Sequence, residues 1–217
     1  MPRTASGFIT FEGIEGSGKT TQIRLLSEYL TGKGVQHIVT REPGGTAIGE
    51  RIRALLLDPA SADLVALAEL FLYGAARVQH IDQVIQPAIA EGKVVLCDRF
   101  TDATIAYQGY GREIPMNVIR VVNSLAAAET HPDLTVLLDL EPESGLKRAR
   151  ARNATSGESS TTRFDDEELA FHQRVRRGYL ELARQETGRI RVVSAEGTPE
   201  KVSRQVIQHV NRRLGLT

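Results

Sequence analysis

The stretch Gly13-Ile14-Glu15-Gly16-Ser17-Gly18-Lys19-Thr20-Thr21 has the spacing G-x-x-x-x-G-K-[ST]. It stands between an apolar, β-prone run, Phe8-Ile9-Thr10-Phe11, and a helical pattern carried by Ile23, Leu25, Leu26, Tyr29 and Leu30. A loop of this kind wraps a polyphosphate in main-chain N–H groups. Glycines at 13, 16 and 18 permit backbone angles and close approaches that a Cβ would block. Lys19 reaches the β- and γ-phosphates, Thr20 offers its hydroxyl to Mg²⁺, and the following helix points its positive end at the anion. Residues Gly13 through Thr20 are therefore expected to cradle a nucleoside triphosphate. Which reaction follows is left open by the loop alone.

The elements that position this loop alternate strand with helix. A helix is expected over about Gly18–Thr31, ended by Gly32 and Gly34, and then a strand over Val35–Thr40. Arg41-Glu42-Pro43-Gly44-Gly45-Thr46 turns the chain into a helix through Ile48, Ile52 and Leu55. Leu67, Phe71, Gly74, Val78, Ile81 and Ile85 recur at three- and four-residue steps, which predicts a long helix over about Ala62–Ala90 with those residues as its apolar seam. Pro87 predicts a kink or break near Gln86. Tyr73 and Arg77 stand four apart and share a different face. Val94-Val95-Leu96-Cys97 and Leu134–Leu140 read as buried parallel strands. Helices are expected at about Thr101–Tyr107, Pro115–Ala128, Glu143–Arg152, Asp165–Thr187 and Pro199–Leu214, with a last strand at Ile190–Val193. The segment Asn153–Thr162 is small and polar and is expected to move in the absence of ligand. This alternation predicts one doubly wound α/β domain over residues 1–217, with ligands beyond the carboxyl ends of the strands. The phosphate loop, Arg41-Glu42 and Asp98-Arg99 all fall there, so one site is expected.

Composition narrows the setting. Twenty-seven basic residues balance 27 acidic ones, so no overall field favours nucleic acid or a membrane surface. A single cysteine, Cys97, cannot form an intramolecular disulfide and is expected to serve packing in a reducing compartment. No apolar stretch is long enough to span a bilayer, and Met1 to Ser6 lacks the apolar core of a signal peptide. A soluble, cytoplasmic protein is the expectation. Five histidines lie without metal-ligand spacing, and no structural zinc is expected. Arg174, Arg176 and Arg177 read as a solvated helix face.

Seven pieces, in this order and nearly end to end, resemble the thymidylate kinase family. They are Phe11 to Thr21, Thr40-Arg41-Glu42-Pro43-Gly44-Gly45-Thr46, Tyr73-Gly74-Ala75-Ala76-Arg77, Asp98-Arg99-Phe100, Ala106-Tyr107-Gln108-Gly109, Gly145 to Arg152, and Arg163-Phe164-Asp165. The phosphate loop belongs to a very large superfamily, whereas T-R-E-P-G-G-T together with D-R and A-Y-Q-G is specific. The resemblance implies a five-stranded parallel sheet with helices on both faces and a mobile lid at about 153–163. It also implies a cytosolic homodimer that phosphorylates dTMP to dTDP with ATP and Mg²⁺ on the route to dTTP.

The acceptor phosphate has a second pKa of about 6, so at neutral pH its attacking oxygen is already largely deprotonated. Positioning and charge neutralisation should then dominate, and arginines matter more than a general base. By resemblance, Arg99 and Arg53 hold the dTMP phosphate and Asp98 orients water on Mg²⁺. Tyr73 stacks on thymine, Arg77 reads its O4 edge and Thr104 touches the base. Tyr107 crowds the sugar 2′ position beside Gln108, and Glu15 approaches the 3′-hydroxyl. Arg152 lies against adenine, Arg148 shares its helix face, and Arg163 closes over the transferred phosphate while Arg150 is solvated. Some relatives carry a catalytic arginine inside the phosphate loop where this chain has Gly16, which throws that charge onto the lid. Two other readings remain. A deoxynucleoside kinase also combines a phosphate loop, D-R and lid arginines, although the phosphate-directed Arg53 argues against it. A nucleotide switch would need N-K-x-D and D-x-x-G, and neither string occurs.

Overall fold

Parallel pairing of five strands builds the centre of the molecule, whose computed structural model describes residues 6–155, 164 and 167–216. The strands are β1 (Gly7–Glu12), β2 (His37–Arg41), β3 (Val94–Asp98), β4 (Leu134–Asp139) and β5 (Ile190–Ser194), in the order β2-β3-β1-β4-β5. Phe11 pairs with Asp98 on one side and Val136 on the other, so β3 ends beside the end of β1 while β4 runs on to Asp139. β1 is buried throughout, and β3 and β4 nearly so, which is why they read as continuous apolar runs. The edge strands β2 and β5 are only partly buried. The expected doubly wound α/β sheet is thus the observed one, and at its carboxyl edge the phosphate loop leaves β1.

Helices cover the sheet. They are α1 (Lys19–Gly32), α2 (Ala47–Leu57), α3 (Ala66–His80), α4 (Gln86–Ala90), α5 (Thr101–Thr104), α6 (Met116–Ala127), α7 (Pro142–Thr155), α8 (Leu169–Gln185) and α9 (Pro199–Leu214). Thr46 caps α2 by accepting from Gly49 N, and Thr198 caps α9 by accepting from Lys201 N. The core on one side joins Leu26 and Leu30 of α1 to Val206 and Val210 of α9, and Tyr107 to Phe171 and Val175 of α8.

Two expectations about the long helix need correction. Of the kink or break expected near Gln86, the break does not occur, and the irregularity there is a change of helix type. α3 runs into a π-turn, Ile81–Ile85, and then directly into α4. The wider turn sits just ahead of Pro87, which lacks an N–H for the usual ladder, so the missing donor is absorbed without ending the helix. The expected apolar seam is also only half right. Gly74, Ile81 and Ile85 are buried, but Leu67, Phe71 and Val78 are 47–56% exposed. The buried side of α3 carries Glu69, Leu70, Arg77 and His80 instead, because Glu42, Thr104 and Asn123 supply the polar partners that make this face burial-competent. Periodicity located the stripe and misjudged which side the protein interior takes.

The helical segment after β3 is longer than expected, since α5 continues as a π-turn over Ile105–Gly111. The arginines at 174 and 176 are not a freely solvated face. Arg174 donates to Gly111 O at 2.9 Å, and Arg176 donates to both oxygens of Asp139 at 2.7 and 3.1 Å. Arg163 and lid residues 156–163 lie outside the described residues, as do the side chains of 152–155, Arg152 included.

Candidate active site

The carboxyl ends of β1, β2, β3 and β5 open into one cleft of about 790 Å³, a volume suited to small-molecule ligands. Its walls are formed by Lys19, Asp98, Arg99 and Glu15, by the phosphate loop from Gly16 to Thr20 with Gln22, Arg148, Ala195, Gly197 and Val202, and by Arg53, Tyr73, Arg77, Thr104, Tyr107 and Gln108 with Arg41 and Pro43. Most of the residues singled out in the sequence are therefore brought together. Gly13 and Ile14 are not on the cleft wall. Ile14 packs into the core, and the two carbonyls each accept from Lys19 Nζ at 3.1 Å.

The loop has the backbone its sequence requires. Gly13 has φ 138° and Gly16 φ 70°, and a Cβ at Gly16 would stand 2.1 Å from Gly145 O of α7. Position 16 therefore has no room for any side chain, arginine included. Burial and then Arg99 pull Lys19 down to about 8, so the ammonium awaits anionic company.

Arg99 follows β3 with φ 70°, a left-handed conformation costly for a residue with a side chain. The turn directs its guanidinium under the phosphate loop. Nη1 donates to Gly13 O and to the Tyr179 hydroxyl, and Nη2 donates to Glu15 Oε1 and to the Tyr107 hydroxyl, all at 3.0 Å. Of the five N–H groups of a guanidinium, only that of Nε remains. Burial opposes its charge, but Tyr107, Tyr179, Glu15 and Asp98 outweigh it and lift its pKa well above the ordinary value. For Glu15 burial pushes upward too, yet His172, Arg99, Lys19 and Tyr107 hold it at about 2. Tyr107 donates to both Glu15 oxygens, at 2.7 and 2.8 Å.

Arg77 is fully buried on the cleft floor. Nε donates to Glu42 at 2.7 Å, Nη1 to Asn123 at 2.9 Å, and Nη2 to Phe100 O and Thr104 Oγ1 at 3.1 and 3.0 Å. One N–H of Nη1 is left for a ligand. His80 holds the other oxygen of Glu42 at 3.0 Å. Gln108 gives its amide to Glu69 at 2.8 Å. Arg53 donates one bond, from Nη1 to Pro43 O at 3.0 Å, so most of its fork remains available.

The donor set fits a magnesium–nucleotide complex. Among the described residues no cluster of three or more acidic, histidine or cysteine side chains forms a metal cage. Magnesium bound with substrate phosphates and water needs only one or two protein groups. Thr20 is exposed on the cleft, and Asp98 Oδ1 is buried without a hydrogen-bond partner.

Several groups that shape the site were not singled out in the sequence. Tyr179, 80 residues beyond Arg99, bridges it to Glu12, donating to Oε2 at 2.7 Å. Phe164 packs on Tyr107 with ring centroids 5.8 Å apart. Arg148 was noted only for its helix face, yet it lines the cleft and donates to Ala195 O at 3.2 Å. His172 is fully buried beside Glu15. A buried polar group left unpaired costs about 1–3 kcal/mol, which makes that histidine conspicuous.

The chain matches the family model for thymidylate kinase over residues 11–206. It is 52% identical over 211 residues to the thymidylate kinase of Desulforapulum autotrophicum, covering 96% of this chain and 92% of that protein. Likeness to the thymidylate kinase of Trichlorobacter lovleyi is 53% over 209 residues, or 96% of this chain and 99% of that one. The crystal structure of thymidylate kinase from Ehrlichia chaffeensis is similar with a TM-score of 0.77 and 36% identity, covering 95% of this chain and 99% of that chain.

Glu12 offers a test of the buried electrostatics. Burial, then Asp102, pushes its pKa from 4.5 up to about 7, against Arg99, Tyr179 and the Phe100 N–H. The folded protein thus keeps a proton that the unfolded chain releases at lower pH, and stability falls as pH rises between 4.5 and about 7. Glu12→Gln should remove this slope. Relative to wild type it should gain about 2–4 kcal/mol between pH 4.5 and about 8, read from urea unfolding. Parallel pH dependences would show that Glu12 titrates normally.

Proposed function

The chain belongs to the thymidylate kinase family and phosphorylates dTMP to dTDP with ATP, a step towards dTTP; we propose that its cleft divides this work between a donor end at the phosphate loop and an acceptor end at Arg53, Tyr73 and Arg99. The observation that carries this division is continuity. One cavity runs from the phosphate loop past Lys19 and Arg99 to an aromatic ring, Tyr73, and a second guanidinium, Arg53. A phosphate monoester placed on Arg53 and Arg99 lies in the same channel as the donor's terminal phosphate.

The acceptor brings its own nucleophile, a non-bridging oxygen of its phosphate that needs no base at neutral pH. Arg53 and Arg99 fix it in line with the γ-phosphorus, and Lys19 neutralises charge on the donor oxygens. Main-chain N–H groups from Gly13 to Thr20 hold the polyphosphate. Magnesium would be held by Thr20 and, through water, Asp98, and would supply charge neutralisation on the donor phosphates. Tyr73 stacks on thymine, with Arg77, Thr104 and Gln108 along the base edge. Tyr107 crowds the sugar 2′ position, and Glu15 receives the 3′-hydroxyl. Because Gly16 has no room for a side chain, the positive charge at the transferring group comes from Arg163. Arg152 lies against adenine. Residues 1–217 act as one domain with a lid at about 153–163.

A second copy of this chain is proposed to cover the surface built by α2, α3 and α6. Ile48, Leu55, Leu67, Phe71, Val78, Val121 and Leu125 are 47–76% exposed there, and clustered exposed apolar side chains mark association surfaces. No helix of the described residues is long and apolar enough to cross a membrane. The balanced charge supports small-molecule substrates rather than nucleic acid, and we place the enzyme in the cytoplasm with its donor ATP.

Offered dTMP, dUMP, UMP, dCMP and thymidine with ATP, the enzyme should turn over dTMP best and leave thymidine untouched. Turnover of thymidine without dTMP would overturn the reading. Arg163→Ala should lower kcat by at least about 10²-fold with little change in the KM for dTMP; an unchanged kcat would remove the lid arginine from the reaction. Leu125→Glu should shift the protein from dimer to monomer in sedimentation, and an unaltered dimer would place the interface elsewhere.

A further inference from the structure

Beyond helping to hold the Glu15 carboxyl low, His172 has no part in the work described so far. It lies on α8, fully buried, edge-on to Phe171 with ring centroids 5.4 Å apart. Neither ring nitrogen has a hydrogen-bond partner. A phenylalanine would satisfy such surroundings equally well. What the imidazole adds is reach towards Glu15, for Nδ1 stands 3.4 Å from Oε2.

Glu15 is shared between two kinds of donor. Oε1 accepts from Arg99 Nη2 at 3.0 Å, and both oxygens accept from the Tyr107 hydroxyl. With four of its N–H groups engaged, Arg99 can give more than its Nε to a substrate phosphate only by releasing a present partner. Glu15 is the anionic partner, so a dianionic phosphate competes with it most directly. A carboxylate deprived of a guanidinium beside an incoming phosphate needs another donor. A small movement towards α8 would bring Oε2 to about 3.0 Å from Nδ1, an ordinary hydrogen bond.

α8 is built to keep both halves of the pair in register. Tyr179 lies seven residues beyond His172, two turns along the same face, about 10 Å apart on the axis. Its hydroxyl accepts from Arg99 Nη1 at 3.0 Å. One rigid helix thus presents a partner for the cation and, at the other position, a donor for the anion.

We infer that His172 is a positioning residue, which takes over Glu15 when the acceptor's phosphate engages Arg99 and so holds the carboxylate towards the acceptor's 3′-hydroxyl. The inference rests on the reading of Glu15 given above. Nδ1 is the donor in this arrangement.

The experiment compares dTMP with 3′-deoxythymidine monophosphate as acceptors. His172→Phe should cut the kcat/KM preference for dTMP about 10-fold, mainly through a higher KM, with the KM for ATP unchanged and the unfolding midpoint no lower than that of the wild type. His172→Asn, whose amide N–H falls near Nδ1, should restore the preference. If the phenylalanine variant does not fold, His172→Gln, whose amide falls nearer Nε2, replaces it and should show the same loss. In a Glu15→Gln background, His172→Phe should cause no further change in the ratio. A wild-type ratio in His172→Phe, an equal loss for both acceptors, or a further loss in the Glu15→Gln background would each overturn the inference. Should Glu15→Gln alone keep the wild-type ratio while dTMP is still phosphorylated, the assignment of Glu15 falls and this inference with it.

Discussion

The site proposed for the acceptor depends on holding one guanidinium, Arg99, charged and in place in the cleft before any substrate arrives. Water cannot do this well where the surroundings are buried, so the protein supplies fixed acceptors: Gly13 O, Glu15, Tyr107 and Tyr179. The left-handed backbone at Arg99, φ 70°, is part of the same arrangement, since an ordinary strand continuation would carry the side chain elsewhere. The ion pair with Glu15 is not primarily a stabilising device. Buried pairs seldom repay their desolvation in full, and removing one member leaves the other stranded. Its use is to keep the cation oriented, which is the part of phosphoryl transfer that a protein must provide.

How much of this could be read from the residues depends on whether a feature is local. The phosphate loop was legible because its glycines, lysine and threonine are consecutive and flanked by a strand and a helix. Gly16 went further, for its place as the position where relatives carry an arginine acquires a physical cause in the contact with Gly145. The strand ends at Arg41 and Asp98 were legible because a parallel sheet gathers its ligands at one edge. Tyr179, Glu12 and His172 were not. They are ordinary residue types in amphipathic or apolar runs, and only the fold carries α8 over the end of β1.

α3 shows the limit of periodicity more sharply. Its apolar stripe was identified by spacing, but spacing carries no information about which stripe a polar network will draw inward. Glu42 binds Arg77 and His80 together, and His80 also meets Thr40 at 2.6 Å. That network fastens the turn after β2 to the floor of the cleft. Once Arg77 is committed there, Leu67, Phe71 and Val78 are left on the outside. The polar core and the exposed apolar surface are therefore two sides of one choice, which ties the shape of the acceptor end to the surface proposed for a second copy.

The cations proposed for donor and acceptor meet at a single carbonyl. Gly13 O accepts from Lys19 Nζ at 3.1 Å and from Arg99 Nη1 at 3.0 Å, so both are tied to the same atom. That atom cannot drift, because Gly13 is pressed against β4, where a Cβ would lie 2.5 Å from Leu138 O. Like charges this close lower one another's affinity for a proton, and Arg99 is, after burial, the largest influence pulling Lys19 down. A phosphate arriving at either cation offsets that repulsion and favours the charged form of the other. Because both cations are tied to one fixed oxygen, the positions proposed for the two reacting phosphates are set relative to each other before either substrate binds.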